Sequence, residues 1–379
     1  MTIRRAAHLC ALLLLALGAR PALARPPQPA VVPAQIVAAL ERAADWQLRQ
    51  PETDTPTLLD DPHGWSQAAF WLGLTELAAR RPDAPYRDRI MALGARHQWH
   101  LGHRIAHADD HLIGQTWLWA AAHGAGPESL SAMRESLDRL GEQQALASRP
   151  LGTIRFPKCA IRLCWSDALF MSPATLVGLS RVTGDPRYAD LALAEVAQTV
   201  ALLYDPRQRL FYRDDRFIAA RDDAGRRLFW SRGNGWALAG LANMLRAMPP
   251  GDARVEPYRR LFRDMADRVT DLQRPDGTWS AALLDRRQPP ETSGTGLFVF
   301  ALAWGVNAGL LDRDRYAPAV LRGWAALNRA AGPDGAPGWV QPIGDRPAAA
   351  GPGDSQPYGT GAFLLAGTQV LDMIAASPQ

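Results

Sequence analysis

The chain has 379 residues, 47% hydrophobic and 21% charged, a balance that excludes intrinsic disorder and supplies enough apolar material for one large core or two small ones. Its formal charge is +4, but acidic and basic residues are interleaved, and Lys158 is the single lysine among 42 basic residues. No basic run marks a nucleic-acid footprint, and no segment reaches the roughly 18 uninterrupted apolar residues that suggest a membrane span.

In chain order, the first element is a leader. Arg4 and Arg5 precede an apolar stretch from Leu9 to Leu17, which ends at Ala22-Leu23-Ala24. This is the pattern of a secretory signal peptide over residues 1–24, so a single mature domain is expected over 25–379, in the periplasm or outside the cell. Cys10 leaves with the leader. Cys159 and Cys164 remain close together in an oxidising compartment, where a disulfide is expected and a pair of buried thiols is the alternative.

Six segments then share one grammar, a polar or glycine-rich opening followed by an apolar run rich in small residues. They are HGWSQAAFWLGLTEL from His63, ADDHLIGQTWLWAAA from Ala108, CWSDALFMSPATLVGL from Cys164, SRGNGWALAGLANML from Ser231, TSGTGLFVFALAWGV from Thr292 and PYGTGAFLLAGTQVL from Pro357. The openings recur at roughly 45 to 65 residues, the length of one helical hairpin with its loops. Between them lie amphipathic helices, several entered through a turn that ends in tyrosine: RPDAPYRDRIMALG, TGDPRYADLALAEV, VEPYRRLFRDMADRV and DRDRYAPAVLRGWAAL. Helices apolar all round belong inside and helices with one charged face belong outside. The pattern predicts an all-α fold, an (α/α)6 barrel of six helical hairpins. Alternation makes the inner helices parallel, so their polar openings gather on one rim, where free N–H groups and the helix dipole favour an anion. Short strand-like pieces, RLFYRD and GTWSAAL, are expected as hairpins on that rim.

The chemistry-bearing residues sit at those openings. Asp167 heads an inner helix beside Trp165, Phe170 and Met171; an apolar surround raises a carboxyl pKa and suits a general acid, while the alternative is an N-cap. Asp109 and Asp110 head another opening, where one of them is again a possible cap, and with His107 and His111 they raise the question of a metal, for which no other His or Cys cluster speaks. Arg213, Arg216 and Arg232 are candidates to hold a carboxylate by forked hydrogen bonds, and Gly233 to let backbone approach a ligand. Trp65, Trp165, Trp230 and Trp236 lie where an aromatic face can stack on a sugar. Serine-hydrolase elbows, phosphate loops and dinucleotide fingerprints are absent from the sequence.

The strings WSDALFMSPATLVGLSRVTGDPRY, LFYRDDRF, FWSRGNGWALAGLANML, PETSGTGLFVFALAWG and QPYGTGAFLLAG together resemble the unsaturated rhamnogalacturonyl hydrolases of glycoside hydrolase family 105, related to the family 88 unsaturated glucuronyl hydrolases. The resemblance runs over nearly all of the mature chain. It implies a six-hairpin barrel, Asp167 as catalytic acid/base, assistance from Asp110 or Asp109, and a sugar subsite lined by Trp230, Arg232 and Trp236. The implied substrate is an oligosaccharide ending in a 4,5-unsaturated uronic acid of the pectin or rhamnogalacturonan type, hydrated across the double bond without metal or organic cofactor. Many members carry histidine where this chain has Arg213, which alters reach and hydrogen-bond geometry at that point. A conventional glycosidase or a polysaccharide lyase on the same barrel is the competing reading; a sugar epimerase and a noncatalytic carbohydrate-binding protein are further ones.

Overall fold

In the computed structural model, which describes residues 32–50, 64–146 and 161–376, helices alternate between two concentric rings. The inner ring is made of α2 (Trp65–Arg80), α4 (Ile113–Ala120), the pair α6 (Ala168–Met171) and α7 (Pro173–Thr183), α9 (Ser231–Ala247), α11 (Thr292–Asn307) and α13 (Pro357–Ala375). The outer ring is α1 (Pro33–Leu48), α3 (Tyr86–Arg96), α5 (Ser131–Leu146), α8 (Pro186–Leu203), α10 (Glu256–Leu272) and α12 (Arg313–Ala330). Each inner helix packs on the next, α2 on α4, α4 on α7, α7 on α9, α9 on α11, α11 on α13, and α13 returns to α2, so the ring closes. Contacts gather the described residues into one compact unit. The predicted leader and Cys159 lie outside the described residues; Cys164 is disulfide-bonded. No helix among the described residues is long and apolar enough to cross a membrane.

The two rings follow from the two sequence patterns. Every residue of α11 from Thr292 to Val306 is buried, and so is every residue of α9 from Ser231 to Met244. By contrast, α10 buries only Leu261, Phe262, Met265, Ala266, Val269 and Leu272, a stripe at helical spacing with arginine and aspartate on the remaining face. Small residues let the inner helices approach closely: a Cβ on Gly361 would lie 2.2 Å from the Ala69 carbonyl oxygen, so α13 seats on α2 only with glycine there.

The tyrosines at the outer-helix entrances have a common use. Tyr86 on α3 donates to Asp45 of α1 at 3.1 Å, Tyr188 on α8 to Asp138 of α5 at 2.6 Å, Tyr258 on α10 to the Leu193 carbonyl of α8 at 2.8 Å, and Tyr316 on α12 to Asp267 of α10. Each therefore latches its helix to the preceding outer one.

Two inner helices depart from the simple prediction. The segment opening at Ala108 begins as a 3-10 turn over Ala108–His111 before α4, and the third inner helix breaks between Ser172 and Pro173, because proline cannot continue the hydrogen-bond ladder. The predicted rim hairpins are present as β1 (Tyr204–Asp205) with β2 (Leu210–Phe211), and β3 (Trp279–Ser280) with β4 (Pro290–Glu291).

Candidate active site

Three openings converge on the rim. The segment before α6 carries Asp167, and it is tied to the segment after β2 by an antiparallel bridge between Trp165 and Asp214 and by the Ser166 amide, which donates to the Arg213 carbonyl at 2.8 Å. Asp167 stands at the N-cap position of α6, yet its side chain makes no capping hydrogen bond. Its Oδ2 accepts from Ser166 Oγ at 3.1 Å and lies 3.3 Å from Arg213 Nε. The immediate surround is therefore polar, where the sequence suggested an apolar pocket. Arg213 in turn donates through Nη1 to Asp214 at 2.9 Å, a buried carboxylate that also accepts from Arg216. The two arginines and Asp214 keep one another charged: both arginines are held up, and their hydrogen bonds hold Asp214 down against its burial.

The neighbouring aspartates separate by environment. Asp110 accepts from the Arg104 amide at 2.8 Å and from Arg104 Nε at 3.0 Å, and it fills the space where a side chain on Gly102 would stand. It is spent on shaping the loop. Asp109 has no such clamp; its side chain is 18% exposed, 3.6 Å from His107 Nδ1. Burial pushes its carboxyl up to about 7, Arg104 pulls it down, Asp167 and Asp110 push it up, and Arg213 pulls it down. The turn is capped by neither aspartate but by His107, whose Nδ1 accepts from the Asp109 amide at 3.3 Å. His107 packs against Trp165 with ring centroids 5.2 Å apart. His111 points elsewhere, into a buried network with Ser172, and no group of three or more His, Cys, Asp or Glu among the described residues could hold a metal ion.

The opening of α9 is polar for a different reason than expected. Asn234 bonds Phe211 in both directions, accepting from its amide at 2.8 Å and donating to its carbonyl at 3.0 Å, so it replaces a strand partner for β2 and positions Arg213 two residues on. Arg232 is 1% exposed and donates to the carbonyls of Gln341 at 2.5 Å and Pro342 at 3.0 Å and to Tyr358 Oη at 3.1 Å, sandwiched between the rings of Trp230 and Tyr358. Trp230 donates to Gln341 Oε1 at 2.9 Å, and Trp236 packs in the core on Phe170. Arg232, Trp230 and Trp236, expected on the sugar, hold the 341–342 loop and the barrel wall instead. Of the opening tryptophans, Trp65 is the one not buried, packed at a tilt on Tyr358 with ring centroids 4.9 Å apart. Gly233 admits close approach, though to protein: a Cβ there would lie 3.0 Å from Ser166 Oγ. The N-terminus of α11 is likewise filled, by Glu291 accepting from the amides of Ser293 and Gly294. At α11 the anion preference predicted for the helix starts is met within the protein.

Sequence reasoning passed over Ser166, Arg104 and the capping role of His107. Ser166 adjoins Asp167 and was legible by adjacency; the clamp of Arg104 on Asp110 depends on a loop path that no spacing rule encodes.

Comparison with known proteins places the chain in a family. The model of Glycosyl Hydrolase Family 88 matches residues 39–374. An unsaturated 3S-rhamnoglycuronyl hydrolase from Alteromonas sp. (strain LOR) is 34% identical over 349 residues, 87% of this chain and 84% of the relative. One of the same name from Formosa agariphila is 36% identical over 351 residues, 89% of this chain and 91% of the relative. A solved structure titled a polysaccharide lyase superposes with a TM-score of 0.79 at 26% identity, covering 92% of this chain and 99% of that one.

Proposed function

The chain belongs to glycosyl hydrolase family 88, and from that premise we propose how its rim carries out the reaction. The protein is an unsaturated uronyl hydrolase that removes a terminal 4,5-unsaturated uronic acid from lyase-generated oligosaccharides. We infer rhamnose as the leaving sugar, supported by the names of both relatives.

The C4=C5 double bond of such a uronide is an enol ether. Protonation at C4 places positive charge on C5 and the ring oxygen, water adds at C5 and loses a proton, and the hemiketal so formed opens to release the leaving sugar. The cycle needs one proton given and one taken back. The single observation that carries the assignment is the pairing of Asp167, held by Ser166 and Arg213, with Asp109, whose carboxyl retains its proton to about pH 7. Asp109 thus offers an acid beside the Asp167 carboxyl, whose charge is one of the causes that hold it up after burial. Asp167 acts at the reacting carbons; Asp109, in preference to Asp110, is its partner. Trp165 forms the wall behind them, and Arg213 sets the orientation of Asp167. The leader motif and the disulfide-bonded Cys164 support a place in the periplasm or outside the cell.

The lyase title of the similar structure keeps one alternative in view. Incubation of an unsaturated rhamnoglycuronyl disaccharide in heavy water decides it. The expected result is loss of the enol-ether absorbance with one deuterium at C4 of the released uronic acid. Gain of that absorbance on intact polymer favours the lyase, and cleavage without deuterium at C4 favours direct glycosidic hydrolysis.

A further inference from the structure

Behind the two aspartates runs a buried polar chain that the chemistry itself does not touch. Arg162 is 0% exposed and divides its guanidinium among three parts of the fold. Nε and Nη2 form a two-pronged ion pair with Glu195 of α8, which is also buried; Nη2 donates to Ser172 Oγ at 3.0 Å, and Nη1 to the Ala106 carbonyl at 3.3 Å. Ser172 Oγ lies 2.8 Å from His111 Nδ1, and His111 Nε2 lies 2.7 Å from the Ile105 carbonyl oxygen.

The proton directions follow from what each group can do. A carbonyl only accepts, so Nε2 carries the hydrogen; Nδ1 then offers a lone pair, and the Ser172 hydroxyl donates to it while accepting from Arg162. The ring stays neutral: burial pushes the His111 imidazolium down to about 3, with the charges of Arg162 and His107 acting the same way and the Ile105 carbonyl opposing. The hydrogen-bond direction is thus constant over working pH.

The ends of this chain matter more than its middle. Ile105 and Ala106 lead into Asp109, while Arg162 precedes Asp167 and Ser172 follows it at the break between α6 and α7. Thr175 ties the two from the other side, donating to the His111 carbonyl at 2.8 Å. We propose that Arg162, Ser172 and His111 form a positioning unit that sets the separation of Asp109 and Asp167. The unit is a set of positioning residues, since none contacts the reacting atoms, and the inference rests on the two-aspartate reading.

Ser172→Ala removes the one oxygen shared by Arg162 and His111 and leaves the Arg162–Glu195 pair in place. The purified variant is expected to keep its near-ultraviolet circular dichroism and its KM within about twofold while kcat falls about tenfold, since small displacements of reacting groups are costly in rate. The basic limb of its pH profile should move to lower pH, because Asp109 loses part of the burial and of the Asp167 repulsion that hold its carboxyl up. Arg104, Asp110, Asp167, Arg213 and His107, the charged and titratable groups facing Asp109, are all retained. His111→Gln carries the same expectation and serves if Ser172→Ala does not fold. Wild-type kcat with an unmoved limb, even with a lowered melting temperature, overturns the proposal and leaves the network a stabilising one. Asp109→Asn separates the two readings: a basic limb that survives it refutes the aspartate pair, whereas a limb lost in Asp109→Asn but unmoved in Ser172→Ala refutes the positioning unit alone.

Discussion

At Asp109 burial and neighbouring charge couple stability to pH. Its carboxyl is raised from 3.8 to about 7, so between those values the folded state binds a proton that the unfolded chain has lost. The stabilisation from that proton is complete below about pH 4 and is lost as pH rises through 7. Asp109→Asn should flatten this slope and make the protein more stable at pH 8 by at most about 4 kcal/mol, read from urea midpoints at pH 5 and 8; an unchanged slope contradicts the raised carboxyl. Asp167→Asn keeps the shape of the side chain but cannot give and recover a proton, and kcat is expected to fall about 10²- to 10⁴-fold with substrate affinity retained, measured by the bleaching of the enol-ether absorbance. Arg232 behaves differently. Its removal strands the Pro342 carbonyl, while the Gln341 carbonyl keeps the Tyr358 hydroxyl as donor, so Arg232→Ala should destabilise by about 1 to 3 kcal/mol, the cost of a buried orphan. A normal denaturation midpoint with raised KM would return Arg232 to the sugar.

Among the elements, the tyrosine turns were visible in the sequence as a recurring pattern, but their use was not. A tyrosine in the first turn of an amphipathic segment reads as part of the apolar stripe; only the outer ring shows its hydroxyl reaching the helix of the previous hairpin. Tyr188→Phe keeps the packing and loses the bond to Asp138, so it should lower stability by about 1.5 to 3 kcal/mol, the range for hydrogen bonds to charged groups, with kinetics unchanged. Thermal melts beside initial rates test both halves of that statement. The opening of α9 repeats the lesson. Its serine, arginine and asparagine read as a ligand cradle, whereas Asn234 and Arg232 bind the backbone of two loops distant in sequence.

For the molecule as a whole, closure of the inner ring makes α13 a neighbour of both α11 and α2. Its residues from Tyr358 to Val370 are all buried, so a chain ending at Gln356 would expose the facing sides of two inner helices. Such a chain is expected to lack the near-ultraviolet dichroism of the native protein; retention of that signal with activity would show that five hairpins suffice. The same closure brings the helix starts onto one rim, and therefore brings together Asp109 and Asp167 from two openings and Arg213 from the segment after β2.

The sequence by itself determined the all-α class, the six hairpins, the burial of one helix in each and the rim on which chemistry is placed, because all of these follow from hydrophobic period and from Gly, Pro and polar punctuation, which act within a helix or a turn. It also singled out Asp167, whose opening is read locally. Tertiary structure decided that Arg104 clamps Asp110 and leaves Asp109 without that clamp, that Arg232, Trp230 and Trp236 pack on loops and wall, and that Arg162, Ser172 and His111 join two openings. Those outcomes turn on electrostatic and hydrogen-bond partners supplied by segments remote in sequence, and desolvation and ion pairing depend on distances between such segments, which no local pattern contains.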